Sequence, residues 1–591
     1  MEGQLDLDLN PSISDVITFL KNDKQKNKNP DHIAVQILQA ISWLLSWYGV
    51  ISIAFAPSIL SGLNVIPLGV CMLLTLLIFG VKFIITIFWH TPTFLRTARN
   101  NNLSLSQRLG RRITVTKGLY NMSFNLFFGF ALLFTLIAPQ LTAETCMNYF
   151  NTGYGTKFSG LGISTTLTRY FQIDTVCKSG QICHLYATLP EETSTNVILN
   201  LHTGPDVKTL IVGFGLESDK KITANVTAQS YHVELESRGE RYVHSAYLSN
   251  LEPNTLYYFE VYFNDKVQRT GTYLTLPTKE LERNLVIASG GDVGTTATSR
   301  KMTETLSKYN LDAIMIGGDL SYDNGMRSCY YSWDLFINMF EGVNENLKRV
   351  VPIILSVGNH DLGFNALQDA EIDIAENIYS LYFPQQSKVD SNGNKLPQVP
   401  ELKDRTSYYY HTLGNTIQLL LDSGYMLHYG EQVQFIKDVV AEYPNYVRMA
   451  NFHVPMYPAC LSNAAKITSA ASRKAWASVF EENRFVAVFE NHVHLYKKTF
   501  PIKDDKVVPL EEGVVYFGDG NWGISPNACN IKNGGAANAT GLIEKSSNVN
   551  HVWIMEMNPT DYTFYAINKN NQIFDQKYHI PIPNYAKEAS N

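Results

Sequence analysis

Five apolar runs in the C-terminal half of the chain stop, one after another, on residues able to bind a metal ion. Leu285–Gly291 ends on Asp292, and Asp312–Gly318 ends on Asp319. Val351–Gly358 ends on Asn359-His360-Asp361, Val447–Phe452 on His453, and Phe485–Asn491 on His492-Val-His494. Short apolar runs of this kind read as buried strands. A strand that stops on glycine and aspartate bends sharply and pushes a carboxylate out of the sheet. Side chains gathered at strand ends are how an α/β sheet builds one site from distant positions. One such ending is an ordinary surface turn; five in order, none carrying cysteine, point to a metal centre. Asp319 is suited to bridge two ions, and Tyr322, three residues on, offers a phenolate suited to a trivalent ion such as iron. Carboxylate, amide, phenolate and imidazole donors favour a hard or borderline pair, iron with zinc or manganese. Such pairs serve phosphate-ester hydrolysis: one metal holds hydroxide, both bind phosphate oxygens, and developing charge is neutralised.

The N-terminal region has a different texture. From Ile33 to Val81 there is no Asp, Glu, Lys or Arg. That length suffices for two spans of about 20 residues each. Pro57, Gly62 and Pro67 mark the turn between Ala34–Ala56 and Ile66–Trp89, and a third apolar run covers Leu119–Pro139. These runs are apolar all round, unlike the striped helices of a soluble bundle. Lys82 falls near the end of the second span, where it can snorkel. Residues 90–118 carry Arg96, Arg99, Arg108, Arg111, Arg112 and Lys117 and no acid, so this loop is expected in the cytosol. The expectation is a cytosolic tail over 1–32, a membrane region with three transmembrane helices over 33–143, and everything after Glu144 extracellular or lumenal. Six of the seven cysteines (Cys146, Cys177, Cys183, Cys329, Cys460 and Cys529) follow the last span. An even number there suits disulfides in an oxidising compartment, with the pairing left open. The sequons at Asn225 and Asn538 agree with that side of the membrane. A net charge of −6 makes nucleic acid an unnatural partner.

With 591 residues the chain needs two to four domains. Residues 144–180 read as a linker rich in Gly, Thr and Ser. Short alternating runs over 181–277 read as an all-β sandwich. Strands alternating with helical stretches (Ser299–Lys308, Gln432–Glu442, Ser469–Asn483) fill 283–580, followed by a tail over 581–591. The polar stretch Pro384–Arg405 reads as a surface loop. His411 and His428, and His184, His202, His232 and His244 in the sandwich, read as ordinary surface or core histidines.

Two resemblances sharpen this picture. Leu251-Glu-Pro-Asn-Thr-Leu-Tyr-Tyr-Phe-Glu-Val resembles the signature of fibronectin type III domains, in which the tyrosine, here Tyr257, locks a corner of the sandwich. The ordered set Gly291-Asp-Val-Gly, Gly318-Asp-Leu-Ser-Tyr, Gly358-Asn-His-Asp, Phe452-His-Val-Pro-Met-Tyr and Asn491-His-Val-His resembles the five blocks of the purple acid phosphatases. These belong to the calcineurin-like metallophosphoesterases, and Phe517-Gly-Asp-Gly-Asn-Trp-Gly looks like a further family segment. The resemblance covers about residues 181–580 and leaves the membrane region outside. It implies a multi-domain chain: N-terminal transmembrane helices, a fibronectin III-like sandwich, and an α/β metallophosphoesterase domain with a central β-sandwich flanked by helices. It implies Asp292, Tyr322 and His494 on ferric iron, Asn359, His453 and His492 on a divalent metal (Zn, Mn or Fe), and Asp319 on both. His360 would hold the substrate phosphate or protonate the leaving group.

The chain departs from the pattern at two places. Asn491, after Glu490, stands where the fifth block usually begins with glycine, so Glu490 is expected to alter substrate fit. No histidine follows the fourth block in Tyr457–Ala464, which puts leaving-group protonation on His360. Cys329, Cys460 and Cys529 each follow a site block, and a disulfide among them would brace the rim of the site. The expected function is a membrane-anchored acid phosphatase acting on phosphate monoesters with its catalytic domain outside the cytosol. A phosphodiesterase or nucleotide pyrophosphatase on the same site, and a non-catalytic membrane receptor, are the alternatives.

Overall fold

The structure is a computed structural model that describes residues 177–234, 240–323, 330–362, 377–385, 399–459, 463–524 and 541–587. The expected cytosolic tail and three spans lie outside these residues, as do Cys146, Cys329, Cys460, Cys529 and Asn538. Among the described residues no helix is long and apolar enough to cross a membrane. Cys177 and Cys183 form a disulfide.

Eight strands make the first domain. They are β1 (Ile182–Thr188), β2 (Val197–Thr203), β3 (Ile211–Leu216), β4 (Ala224–Thr227), β5 (Gln229–Val233), β6 (Arg241–Leu248), β7 (Leu256–Phe263) and β8 (Lys266–Leu274). Two four-stranded antiparallel sheets, β1-β2-β6-β5 and β4-β3-β7-β8, pack face to face. The period of two along β7 sets this packing: Tyr257, Phe259, Val261 and Phe263 are buried while the residues between them face outward. The Glu252 amide donates to the Tyr257 hydroxyl at 2.8 Å, the corner lock that the Leu251–Val261 signature implies. Asn225 is exposed on the edge strand β4.

The second domain is two larger sheets stacked on each other. One, in the order β11-β10-β9-β21-β22-β23, is built from β9 (Leu285–Gly290), β10 (Ala313–Gly317), β11 (Ile353–Ser356), β21 (Val552–Met557), β22 (Asp561–Ile567) and β23 (Tyr578–Pro581). The other, β12-β13-β14-β15-β19-β16-β20, uses β12 (Tyr409–Leu413), β13 (Thr416–Leu420), β14 (Val447–Asn451), β15 (Ala487–Phe489), β16 (Tyr496–Thr499), β19 (Val515–Gly518) and β20 (Ile543–Ser547). A small ribbon of β17 (Ile502–Lys503) and β18 (Lys506–Val507) projects from it. β9, β10 and β11 run parallel, as do β13, β14, β15 and β19, so each group ends at a common edge. Ile287, Met315 and Ile354 from one sheet meet Leu420, Met449, Phe489 and Phe517 from the other in a shared core. Alternate residues of the second sheet, Ala450, Phe452, Val488 and Tyr516, pack outward with Ile436, Trp476 and Phe480. Those three come from helices Gln432–Glu442 and Asn463–Glu482. The first helix of this domain, Ala297–Leu306, starts on a capping box in which Thr296 and Ser299 exchange hydrogen bonds.

Parts of the Pro384–Arg405 stretch are not at the surface. Arg405 is buried and donates to the carbonyls of Ser380 and Leu381 while its guanidinium lies over Tyr231. The junction of the two domains also buries charge. Asp334 and Glu341, on the helix Tyr330–Leu347, meet His184, Arg241 and Arg269 of the first domain. His184, His202 and His244, read from sequence as ordinary, are all fully buried in or beside this network.

Candidate metal centre

The parallel strands bring all five endings to one edge. The backbone turns out of the sheet through left-handed conformations: φ is +56° at Asp292, +52° at Asp319, +59° at Tyr322, +75° at His492 and +58° at His494. A non-glycine residue there costs of order 1–3 kcal/mol, so five in one place must be held by their surroundings.

Asp361 supplies much of that hold. Its carboxylate accepts from the amides of Asp319 (2.9 Å), Leu320 (2.8 Å) and Gly358 (2.8 Å), tying the loops after β10 and β11 together. Burial, then the neighbouring Asp319 charge, pushes its pKa well above the carboxylate range. The chain approach is close: a Cβ on Gly358 would lie 2.2 Å from the Asp319 amide nitrogen. Asn491 fills the space beside two other glycines. A Cβ on Gly317 would meet its Nδ2 at 1.8 Å and one on Gly291 its Oδ1 at 2.4 Å, while Nδ2 donates to the Phe452 carbonyl at 2.9 Å. Asn491 in the glycine position therefore packs against the strand ends.

The seven expected ligands converge. Atoms of Asp319, His453 and His492 lie within 4.8 Å of one another, and so do atoms of Asp292, Asp319 and His494. Asp319 belongs to both groups. Tyr322 joins the second: its hydroxyl is 3.2 Å from both Asp292 Oδ1 and His494 Nε2, and His494 Nε2 is 2.9 Å from Asp292 Oδ1. Asn359 joins the first, its Oδ1 lying 3.1 Å from His453 Nε2. His492 Nδ1 is 3.1 Å from the same nitrogen.

The tautomer of His453 follows from its partner. Its Nδ1 donates to the Gly317 carbonyl at 2.8 Å, so Nε2 is left to turn a lone pair toward Asn359, His492 and Asp319. Asp319 Oδ2 is buried with no hydrogen-bond donor, 3.3 Å from that Nε2. Lone pairs facing one another across about 3 Å call for a cation between them. The electrostatics say the same. Burial pushes the His453 imidazole down, but the Asp319 carboxylate more than reverses this, to about 9, so Asp319 draws positive charge to that nitrogen: a proton where no metal ion stands, and a metal ion in its place otherwise. Burial lowers His492, and the neighbouring His453 lowers it further, to about 3, leaving a neutral imidazole with one ring-nitrogen lone pair to give. This donor set fits two metal ions that share Asp319.

His360 occupies a different position. Its ring stacks on Tyr322 with centroids 4.4 Å apart, its amide donates to Asp319 Oδ1 at 2.8 Å, and its side chain is 12% exposed. It lies at the solvent edge of the cluster. Glu490 does not face the site. It is buried, accepts from the Met456 amide at 2.6 Å and pairs with Lys497 on β16. The expectation that it alters substrate fit is not met, because its carboxylate is buried and held by Lys497 and the Met456 amide.

Sequence reasoning missed Ser423, Tyr425 and Lys497. Ser423 accepts from the amides of His453 (3.1 Å) and Val454 (2.8 Å). The Tyr425 hydroxyl lies 3.5 Å from Asn359 Oδ1. Both stand on the turn after β13, which carries no motif; only Asp422, whose carboxylate accepts from the amides of Tyr425, Met426 and Leu427, offered a signal there.

Comparison with known proteins agrees with this geometry. Residues 182–275 match the family described as Purple acid Phosphatase, N-terminal domain, and residues 290–496 match the family Calcineurin-like phosphoesterase. The chain is 25% identical over 306 residues to the probable purple acid phosphatase 20 of Arabidopsis thaliana, covering 50% of this chain and 65% of that one. It is 24% identical over 371 residues to the phosphoenolpyruvate phosphatase of Allium cepa, covering 58% and 68%. A purple acid phosphatase from yellow lupin (Lupinus luteus) seeds shares the fold with a TM-score of 0.55 at 14% identity, over 69% of this chain and 76% of that one. The chain spans slightly under two thirds of the first two curated relatives, 65% and 62% of their lengths. The chain thus carries a segment matching the purple acid phosphatase N-terminal domain followed by one matching the calcineurin-like phosphoesterase domain, and the candidate metal ligands lie in the second.

Proposed function

We propose that this protein is a membrane-anchored acid phosphatase that hydrolyses phosphate monoesters at a site of ferric iron and a divalent metal. The observation that carries the reading is Asp319, shared by two ligand groups, with one carboxylate oxygen buried and without a hydrogen-bond donor. Asp292, Tyr322 and His494 would hold the iron, Asn359, His453 and His492 the divalent ion (zinc, manganese or iron), and Asp319 both. A metal pair supplies Lewis-acid stabilisation of the charge that develops on a phosphoryl group and lowers the pKa of water.

The protein's own residues do the rest. Asp361 and Asn491 hold the strand ends, so the ligands need no reorganisation when substrate arrives. His360, at the exposed edge with its ring backed by Tyr322, is placed to donate a hydrogen bond to a phosphate oxygen or a proton to the departing alcohol. The names of the plant relatives, one of them a phosphoenolpyruvate phosphatase, favour small anionic monoesters as the substrate class. The uncharged run Ile33–Val81 and the basic loop after it support an anchor with the catalytic domain in the lumen or outside the cell.

The test is phosphate release from an aryl monoester by the full-length protein, from about pH 4 to about pH 8, beside the Asp319→Asn variant. Release at acid pH that the variant lacks supports the reading. A folded, metal-loaded protein that cleaves only diesters would move the assignment to a phosphodiesterase. One that cleaves neither would overturn catalysis altogether.

A further inference from the structure

A buried lysine stands behind the metal-binding histidines, where the proposed reaction does not use it. Lys497 has no solvent exposure, and its Nζ reaches three loops at once. It pairs with Glu490, which follows β15, and lies 2.6 Å from Asp519 Oδ1, which follows β19. It also donates to the Tyr457 carbonyl at 2.8 Å, four residues beyond His453.

Each carboxylate in turn holds backbone from the loop after β14. Glu490 Oε1 accepts from the Met456 amide at 2.6 Å, and Asp519 Oδ2 accepts from the Ala459 amide at 2.8 Å. The Asp519 carbonyl accepts from the amides of Val493 (3.2 Å) and His494 (2.9 Å). One ammonium group thus joins the ends of β14, β15, β19 and the start of β16. Between those ends lie His453, His492 and His494, the last two with left-handed backbone. A loop in that conformation keeps it only where contacts over-determine it: Asp292 Oδ2 takes the His492 amide at 2.8 Å, and Asp519, itself held by Lys497, takes the amides of Val493 and His494.

We propose that Lys497, acting through Glu490 and Asp519, is a positioning residue that holds the three metal-binding histidines in place. This rests on the reading of those histidines as ligands. The general reason is that groups packed behind a metal's ligands orient them, and their loss typically lowers metal affinity or activity by about 10–100-fold.

The test compares full-length wild type with Lys497→Met and Lys497→Arg. Each is loaded with iron and zinc and dialysed against graded chelator, and retained metal is counted. Thermal unfolding of the metal-free proteins is followed in parallel. Lys497→Met is expected to release metal at least tenfold more readily, with Lys497→Arg recovering most of the loss. A Lys497→Met protein that folds and keeps metal within twofold of wild type overturns the proposal. If Lys497→Met does not fold, Glu490→Gln decides by the same thresholds: it keeps an acceptor for Met456 and leaves Lys497 paired with Asp519. Wild type that takes up no metal at all would instead overturn the metal-site reading, so the two failures are distinct.

Discussion

His184 Nε2 lies 3.0 Å from Asp334 Oδ1, across the junction between the β-sandwich and the domain that carries the candidate metal ligands. The other ring nitrogen is 3.0 Å from Glu341, and all three residues are buried. Burial alone pushes this imidazole down; its hydrogen bonds to the two carboxylates more than reverse that, and its pKa ends above the ordinary value. A histidine whose folded pKa is raised gives stability that is complete below its unfolded pKa, about 6.5, and is lost as pH rises through the folded value. Arg241, also on Asp334, keeps its charge throughout, and His202 beside it is held neutral by burial and by the charge on His184. Thermal unfolding of the wild type from about pH 6 to about pH 9 should therefore fall more steeply than that of His184→Gln. Parallel curves would mean that the junction does not titrate.

Asp319→Asn should leave the fold intact, because Asp319 Oδ2 makes no hydrogen bond and an amide oxygen still accepts from the His360 amide. Loss of the bridging charge should lower kcat more than about 100-fold. Retained metal and phosphate release, measured on the same sample, check this. Near-normal turnover with bound metal would remove the bridging role.

Asp361→Asn tests the hold on the loops. The carboxylate takes three backbone donors, and an amide can take them on only one of its two atoms. Metal affinity or kcat should fall about 10–100-fold while helical content stays constant. A variant equal to wild type in chelator competition would show that the loops keep their shape without it.

Gly358→Ala should be worse than a surface glycine change. Its new methyl would press on the Asp319 amide nitrogen, at 2.2 Å, which is backbone, and on Asp319 Oδ1, at 2.3 Å, which the His360 amide holds in place. Overpacking of this kind costs about 1–3 kcal/mol. Urea unfolding would measure the loss, and metal retention should fall with it. Gly342→Ala, where a Cβ meets nothing within 4 Å, is the control and should be silent or slightly stabilising.

The ligand set is legible in the sequence because its signal is local. Ala313–Gly317 is an apolar run of strand length, Gly318 allows the bend, and Asp319 follows it; the same grammar recurs at Asp292 and Asn359, while the apolar runs before His453 and His492 end on them without the glycine. The corner at Tyr257 is legible for the same reason, since the residues that make its hydrogen bond are five apart. What Glu490, Lys497 and Asp361 do is not legible there. Glu490 next to a ligand block suggests a change in substrate fit, yet its charge is spent on a lysine seven residues on that points back into the same space. His184 and Asp334 are 150 residues apart, and nothing near either one signals the other.

The sequence alone determined which short segments become strands, which glycines permit the turns, and which side chains at those turns have atoms able to bind a metal. Hydrophobic period and backbone preference act over a few residues, and so they can be read from the chain. Tertiary structure alone decided that β14, β15, β19 and β16 lie side by side in that order, out of sequence. That order sets which buried charges meet. A buried charge is stable only beside a partner, and the partner is chosen by the packing of sheets, which no local stretch of sequence encodes.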